Sequence, residues 1–415
     1  MTAPRLCLLP LLTGLLAFPC LGQTADEDSV ARRPRPDFDA EGIEVPDTNL
    51  LLFPSLQPAL IADSNALRTE GNRHGDFAER TSAGIALQSD EEDRGWTLSA
   101  AGDSTRYLRF PSQNADQVRL LQRGFIAPTE ETRIGLDLSE QWLVQPIEDS
   151  GSGFRQQRPT PYSDRSALLT LSYADEDWQI LAKEQAETFR FGANPPVVIG
   201  DEVDRNEFTS TLHIARQLFD GTALYIEPQV NLRHYQREVG LDGLRHSSSG
   251  GQVVAGVRYD LSSVTFIEAG AGWLRQDYAD HAFATVSGPA LQGRAVWNPL
   301  DQLSFTALAT RRIGESNLPN TAGVETTSES VGADYEIDDN LLASCNFSFT
   351  DMQYKVEVGS SARTDDVAQY GGEVRYLINR NLSLVAGWED YRRRSSLAGA
   401  GLTFERLTLS AQIQW

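Results

Sequence analysis

Apolar and polar side chains alternate along this chain in stretches of about 9 to 14 residues, from residue 50 to its end, and a period of two belongs to a β-strand. In IGLDLSEQW, Ile134, Leu136 and Leu138 share one face, while Gly135, Asp137, Ser139 and Gln141 share the other. YIEPQVNLRHY sets Ile226, Val230 and Leu232 against Glu227, Gln229, Asn231 and Arg233. In LLASCNFSF, Leu341, Ala343, Cys345, Phe347 and Phe349 oppose Ser344, Asn346 and Ser348. The chain ends in LTLSAQIQW, with Leu407, Leu409, Ala411, Ile413 and Trp415 on one side. Sheet strands are therefore the building unit.

Alternation also suits a half-exposed sheet in water, so the turns must decide. Tight connections rich in turn formers occur at 89–94, 127–131, 174–177, 219–221, 260–263, 298–302, 337–340 and 379–381. Longer polar connections at 144–164, 191–204 and 236–250 lie between them, so short and long alternate. Phe219, Tyr259, Trp297, Tyr335 and Tyr376 stand at the mouths of tight turns at intervals of about 40 residues, a hairpin period without a solenoid motif. Further aromatics, Trp96, Trp142, Trp178, Trp273, Trp388 and Tyr173, fall near strand ends.

Long strands with one apolar face, short turns at one end and long loops at the other describe an all-β, transmembrane antiparallel up-and-down β-barrel. In hydrocarbon every backbone N–H and C=O needs a partner, and a sheet meets that demand only by closing on itself. Short turns are then periplasmic and longer loops extracellular. Eight tight hairpins give sixteen strands, and a first strand near 50–62 with the terminal one gives eighteen, so the expectation is 16–18. In LAGAGLTFERLTLSAQIQW the apolar parity moves from even (Leu402, Phe404) to odd (Leu407, Leu409), which implies either a bulge at Glu405 and Arg406 or two strands.

Arg5 followed by LCLLPLLTGLLAF reads as a signal peptide over 1–22, cleaved near 22–25 and exported through the Sec pathway. A lipid anchor at Cys20 is disfavoured by Pro19. Residues 23–48 then form a flexible periplasmic segment and 49–415 the barrel. After cleavage Cys345 alone remains, so no internal disulfide can form. With 58 acidic against 36 basic residues and a formal net charge of −22, nucleic acid is excluded as a partner. Lys183 and Lys355 are the only lysines; the arginine bias fits a GC-rich genome, or a pore lined for carboxylates or phosphates.

The stretches FPSLQPALIADSNALRT (53–69) and SGPALQGRAVWNPLDQLSFTAL (287–308) resemble the putative β-barrel porin 2 family of bacterial outer-membrane proteins, as does the preceding RPDFDAEGIEV. The resemblance spans 36–415 and implies an outer-membrane barrel, sometimes in the company of exopolysaccharide machinery. Family members carry an aromatic-Asp-Asp-Asn stretch after the first strand; Ile61, Ala62, Asp63, Ser64 and Asn65 keep part of it. The terminal strand ending in Trp415 resembles the assembly signal read by the barrel assembly machinery, where Phe is more usual.

No histidine pair has metal spacing, and no pattern requires a cofactor. Asp201, Glu202, Asp204 and Glu207 could bind calcium or be solvated loop charge. His246 and Ser248, two apart in RHSSSGG, resemble the base and nucleophile of outer-membrane acyl hydrolases, without an assigned third residue. On the polar face, Glu227, Arg233, Arg258, Glu268, Arg294, Glu373 and Arg375 are candidates to line the lumen, where rows of acid and base filter solutes or pair to fill it.

The leading expectation is a porin-like pore giving passive passage to small hydrophilic solutes, with a loop such as 144–164 folded inward. An outer-membrane component of exopolysaccharide export or assembly is the alternative, and an acyl hydrolase at His246 and Ser248 a second. Expected partners are outer-membrane lipid and lipopolysaccharide, the assembly machinery and polysaccharide export proteins.

Overall fold

A computed structural model describes residues 29–415, except 92, 149–157, 195–199, 241, 262–263, 317, 319, 357 and 360–361. The signal peptide expected over 1–22 lies outside the described residues. A two-residue strand β1 (Ile43–Glu44) precedes β2 (Leu51–Asp63), β3 (Asp76–Asp90), β4 (Arg94–Tyr107), β5 (Ala115–Ile126), β6 (Thr132–Gln145) and β7 (Thr160–Ala174). Then follow β8 (Trp178–Phe191), β9 (Arg205–Phe219), β10 (Thr222–Tyr235), β11 (Ser248–Leu261), β12 (Thr265–Tyr278) and β13 (Val286–Leu300). The last are β14 (Leu303–Gly314), β15 (Thr321–Asp338), β16 (Leu341–Val356), β17 (Thr364–Asn379), β18 (Leu382–Ser395) and β19 (Leu402–Gln414). Among the described residues no helix is long and apolar enough to cross a membrane.

Every strand from β2 to β19 pairs antiparallel with its sequence neighbours, and β19 pairs with β2, so eighteen strands close into one ring while β1 only edges β2. Each tight turn read from the sequence joins a hairpin, beginning with β3–β4 and ending with β17–β18. The fold is an 18-stranded closed antiparallel β-barrel, at the upper limit of the expected count. Strands run to 18 residues, as in β15, longer than the 9 to 11 that span a bilayer, so their loop ends extend beyond the apolar belt.

The alternation resolves into two environments. Leu136, Leu138, Ile226, Val230, Leu232 and Phe349 are exposed outward, where lipid replaces water. The turn-rim aromatics Phe219, Tyr259, Trp297, Tyr335 and Tyr376 are exposed too, as are Trp96, Trp142, Trp178, Trp273, Trp388 and Tyr173, in keeping with interfacial belts. Opposite them, side chains meet across non-neighbouring strands: Arg258 of β11 donates to Gln179 of β8 at 2.8 Å, and Gln276 of β12 to Asn231 of β10 at 3.0 Å. Only the concave side of a barrel permits such contacts.

The terminal segment corrects one expectation. It is neither bulged nor two strands: β18 and β19 run in unbroken register from Arg393↔Leu402 to Leu382↔Ile413. Leu402 and Phe404, 2% and 1% exposed, face inward, whereas Leu407, 57% exposed, faces outward. The apparent parity switch arises because β19 buries apolar side chains inside, with Val367 and Tyr391, at its loop end. Trp415 donates its backbone N–H to the Pro54 carbonyl of β2 at 3.3 Å, at the closing seam.

Residues 29–44 follow the turn rim. Val30, 2% exposed, donates its N–H to the Ser304 hydroxyl at 2.8 Å; Arg35 pairs with Glu336 at 2.8 Å, and Arg380 with Glu41 at 2.5 Å. This segment therefore edges the mouth from β14 round to β2.

Candidate functional site

Two elements turn into the barrel at its loop end, from nearly opposite walls. The first is the start of the β6–β7 connection, residues 146–148, whose Ile147 is buried. It crosses to the β18, β19 and β2 wall. Glu148 meets Arg68 Nε at 3.2 Å and Arg406 Nη2 at 3.7 Å, and its carbonyl accepts from the Tyr391 hydroxyl at 3.1 Å and Arg393 Nη1 at 3.2 Å. Arg68 also holds Asp63 at 2.9 Å and lies 3.9 Å over the Phe404 ring, which stacks on Tyr391. Asp63 accepts from the Tyr107 hydroxyl at 3.1 Å, and Asn65 donates to the Thr69 and Thr403 carbonyls.

Arg68 adopts φ 55°, in the left-handed region that costs a non-glycine residue about 1 kcal/mol. Its ion pairs hold that conformation. Burial would raise the Glu148 carboxyl, but Arg68 and then Arg406 hold it below the ordinary glutamate range. The Arg68 guanidinium, conversely, is raised despite its burial, first by Glu148 and then by Asp63. A half-buried carboxylate between two arginines is thus the fastening of this connection at 146–148.

The second element is the end of β14 with the connection to β15. Glu315 meets Arg233 Nη1 at 2.6 Å and accepts from the Tyr235 hydroxyl; Arg233 Nη2 donates to the Ile313 carbonyl at 2.8 Å. Asn320 N–H donates to Asp242 Oδ2 at 2.9 Å. Burial raises the Asp242 carboxyl, but N–H donors and His246 bring it below its ordinary value.

The predicted lumen-lining residues share the inward face but separate into groups. Arg258 and Arg294 each lie 5.5 Å from the Phe266 ring, with Glu268 the cross-strand neighbour of both. Glu227 meets His213 Nδ1 at 3.0 Å, beside a stack of His213 on Tyr225. Arg233 belongs to the Glu315 group, and Glu373 pairs with Arg375 at 2.9 Å on β17. Sequence reasoning did not select Arg68, Glu148, Arg406 or Glu315; only Asp63 and Asn65 had a signal, from the family stretch.

His246 Nε2 lies 2.9 Å from Asp242 Oδ2, while the Ser248 hydroxyl accepts from Gln276 Nε2 at 2.9 Å. No hydrogen bond joins His246 to Ser248 among the described residues. Glu202 and Glu207 are answered by Arg237 and Arg205 respectively, and no group of three or more such ligands is arranged for a metal among the described residues.

A family model described as putative beta-barrel porin 2 matches residues 35–415. No curated protein matches the sequence. Among solved structures, Pseudomonas aeruginosa OccK5 (OpdH) is 16% identical with a TM-score of 0.46, covering 88% of this chain and 98% of that one. OccK1 (OpdK) of the same organism is 12% identical with a TM-score of 0.47, over 88% and 99%. The siderophore receptor PirA of Acinetobacter baumannii is 7% identical with a TM-score of 0.47, over 88% and 80%.

Proposed function

The chain belongs to the putative β-barrel porin 2 family and is an outer-membrane β-barrel, and from that premise we propose that it is a passive pore for small hydrophilic solutes. The observation that carries the reading is the closed ring of eighteen strands with a polar concave face, a size at which barrels enclose an aqueous lumen. The inward turn at 146–148 and the β14–β15 end narrow this lumen from two sides. Solutes therefore pass a constriction lined by charge.

Glu227, Arg233, Arg258, Glu268, Arg294, Glu373 and Arg375 set its selectivity together with the fastening residues. Arg233 and the Glu373–Arg375 pair are largely neutralised by partners, so less balanced groups weigh more. Asp164 and Glu207 on the inward face of β7–β9, with Glu315 beside them, outnumber Arg205 and Arg233. Cation preference follows.

Single-channel conductance of the refolded chain in a planar bilayer, under a salt gradient, tests this. Discrete steps with a cation-selective reversal potential are expected. An anion-selective potential would transfer control to the arginines around Glu148. Silence from a barrel shown folded by heat-shifted gel mobility would end the passive-pore reading.

A further inference from the structure

The barrel wall is split at one seam. β13 is laddered to β12 as far as Val286↔Gln276, but to β14 only as far as Leu291↔Arg311. Beyond that point β14 remains paired with β15 up to Gly314↔Val324, so the two sides of the wall part company. The end of β14 passes inside β13 and β12: Ile313 packs on the inward cluster containing Leu274 and Ala290. Ala290 is 0% exposed although it lies on the concave face. Residues 321–325 of β15 are all buried, on both faces, and a Cβ on Gly323 would approach the Tyr278 hydroxyl of β12. The wall therefore overlaps itself like a scroll.

Among the described residues no backbone ladder closes this overlap. It is held by side chains, chiefly Ile313 and the Glu315 contacts to Arg233 and Tyr235, and bridged above by the Val358 N–H to Ala282 carbonyl bond at 2.9 Å. Leu291 lies nine residues from the turn end of β13, about 30 Å along the strand and about 20–25 Å along the membrane normal once the strand's tilt is allowed for, so the split begins at the outer boundary of the apolar belt. Unladdered backbone is tolerated there because headgroups and water, or other protein, can satisfy it. Between the layers, Arg311 and Lys355 share Glu325, and Arg311 Nε and the Tyr278 hydroxyl are buried without a hydrogen-bond partner among the described residues. Two cations face one carboxylate.

Directly below the split, on the outward face of the same strands, runs an apolar groove of about 490 Å³. Gly293, Ala295, Ala307 and Ala309 form its floor, with Ile267 and Val331 on its sides. Glu329 stands on its wall one pleat below the Arg311 row, and repels an anion from the lower groove toward Arg311 and Lys355.

We propose that the β13–β14 overlap is a lateral portal between the outer leaflet and the barrel interior for a single-chain amphiphile with an anionic head. Its chain lies in the groove, and its head enters the overlap at Arg311, Lys355 and Tyr278. The proposal rests on the barrel and not on the pore reading, so a silent bilayer recording leaves it standing.

The test uses the full barrel refolded in phospholipid vesicles with a myristate analogue bearing a photoreactive diazirine beside its carboxylate. After illumination, adducts are mapped by mass spectrometry. Adducts on the inward-facing Leu274, Tyr278 or Ala290 are expected. They should fall about tenfold, the equivalent of 1.4 kcal/mol, when the overlap is locked by Ala290→Cys with Ile313→Cys in a Cys345→Ser background, and return on reduction. If that pair does not oxidise, the same fall is expected in Arg311→Gln for the carboxylate probe but not for its neutral alcohol. Folding of each variant is checked by heat-shifted mobility. Adducts confined to outward residues such as Ile267 and Val331, or inward adducts insensitive to both the lock and Arg311→Gln, would overturn the portal.

Discussion

Glu148 shows how much one residue can decide in a barrel. Its carboxylate is answered by Arg68 and Arg406 and its carbonyl by Tyr391 and Arg393, so one position ties a connection from β6 to strands on the far side of the closing seam. Glu148→Gln keeps the shape and the carbonyl bonds but removes the charge, which should cost the loop about 1–3 kcal/mol and raise single-channel conductance at neutral pH. The pH dependence has a definite sign. The pKa of Glu148 is held below the ordinary value of 4.5, so its stabilisation is complete above that value and is lost as pH falls through the lowered pKa. Conductance should stay flat from pH 7 to about pH 5 and rise only in more acid solution, toward the level that Glu148→Gln gives at neutrality. A rise already present at pH 6 in the parent, and absent in the variant, would show a fastening with a higher pKa and contradict this account.

At the scale of the element, β19 tests the two-faced strand. Leu409 projects outward near mid-depth and Gln412 inward. Leu409→Arg places a guanidinium in hydrocarbon and should cost about 2–4 kcal/mol, whereas Gln412→Arg, facing the wet interior, should cost less than about 1 kcal/mol. Urea unfolding from vesicles compares them; equal losses would mean that the parity assigned to this strand is wrong. The inward wall can be as demanding where aromatics lie flat on it. Tyr225 covers Gly270 so closely that a Cβ would collide with its hydroxyl and with Val254. Gly270→Val should therefore destabilise the barrel by about 1–3 kcal/mol despite lying in a β-strand, a loss visible as a lower temperature for the gel-mobility shift.

For the whole molecule, closure and the two mouths matter together. The loop mouth is narrowed by the inward elements, and the turn mouth is edged by residues 29–44, held by Arg35 on Glu336 and by Arg380 on Glu41 and the Pro36 carbonyl. The exposed Arg380–Glu41 pair contributes little by itself, so its loss alone should leave unfolding unchanged. Replacing both Arg35 and Arg380 by Ala should release the segment, seen as faster amide hydrogen exchange over 30–44 while strand exchange stays constant. Unchanged exchange there would mean that the backbone bonds suffice to hold it.

The strand pattern was fully legible because its physics is local. A lipid-facing position must be apolar, an inward one can be polar, and a turn of two or three residues needs turn-forming side chains, so IGLDLSEQW, the eight tight turns and the rim aromatics announce a barrel without reference to one another. The switch at Leu402 and Phe404 misled for the same reason. Local parity cannot reveal that an inward face is covered by Tyr391 and Arg68, brought there from elsewhere in the chain. Seven inward-facing charged residues could be named from alternation, but not that Arg233 would be claimed by Glu315, or Glu227 by His213. Glu148 meeting Arg406, and β14 slipping inside β13, are contacts between residues remote in sequence. Alternation along a strand records which medium each side chain meets; which side chains meet each other is decided only when the ring closes and residues 146–148 and the end of β14 turn inward.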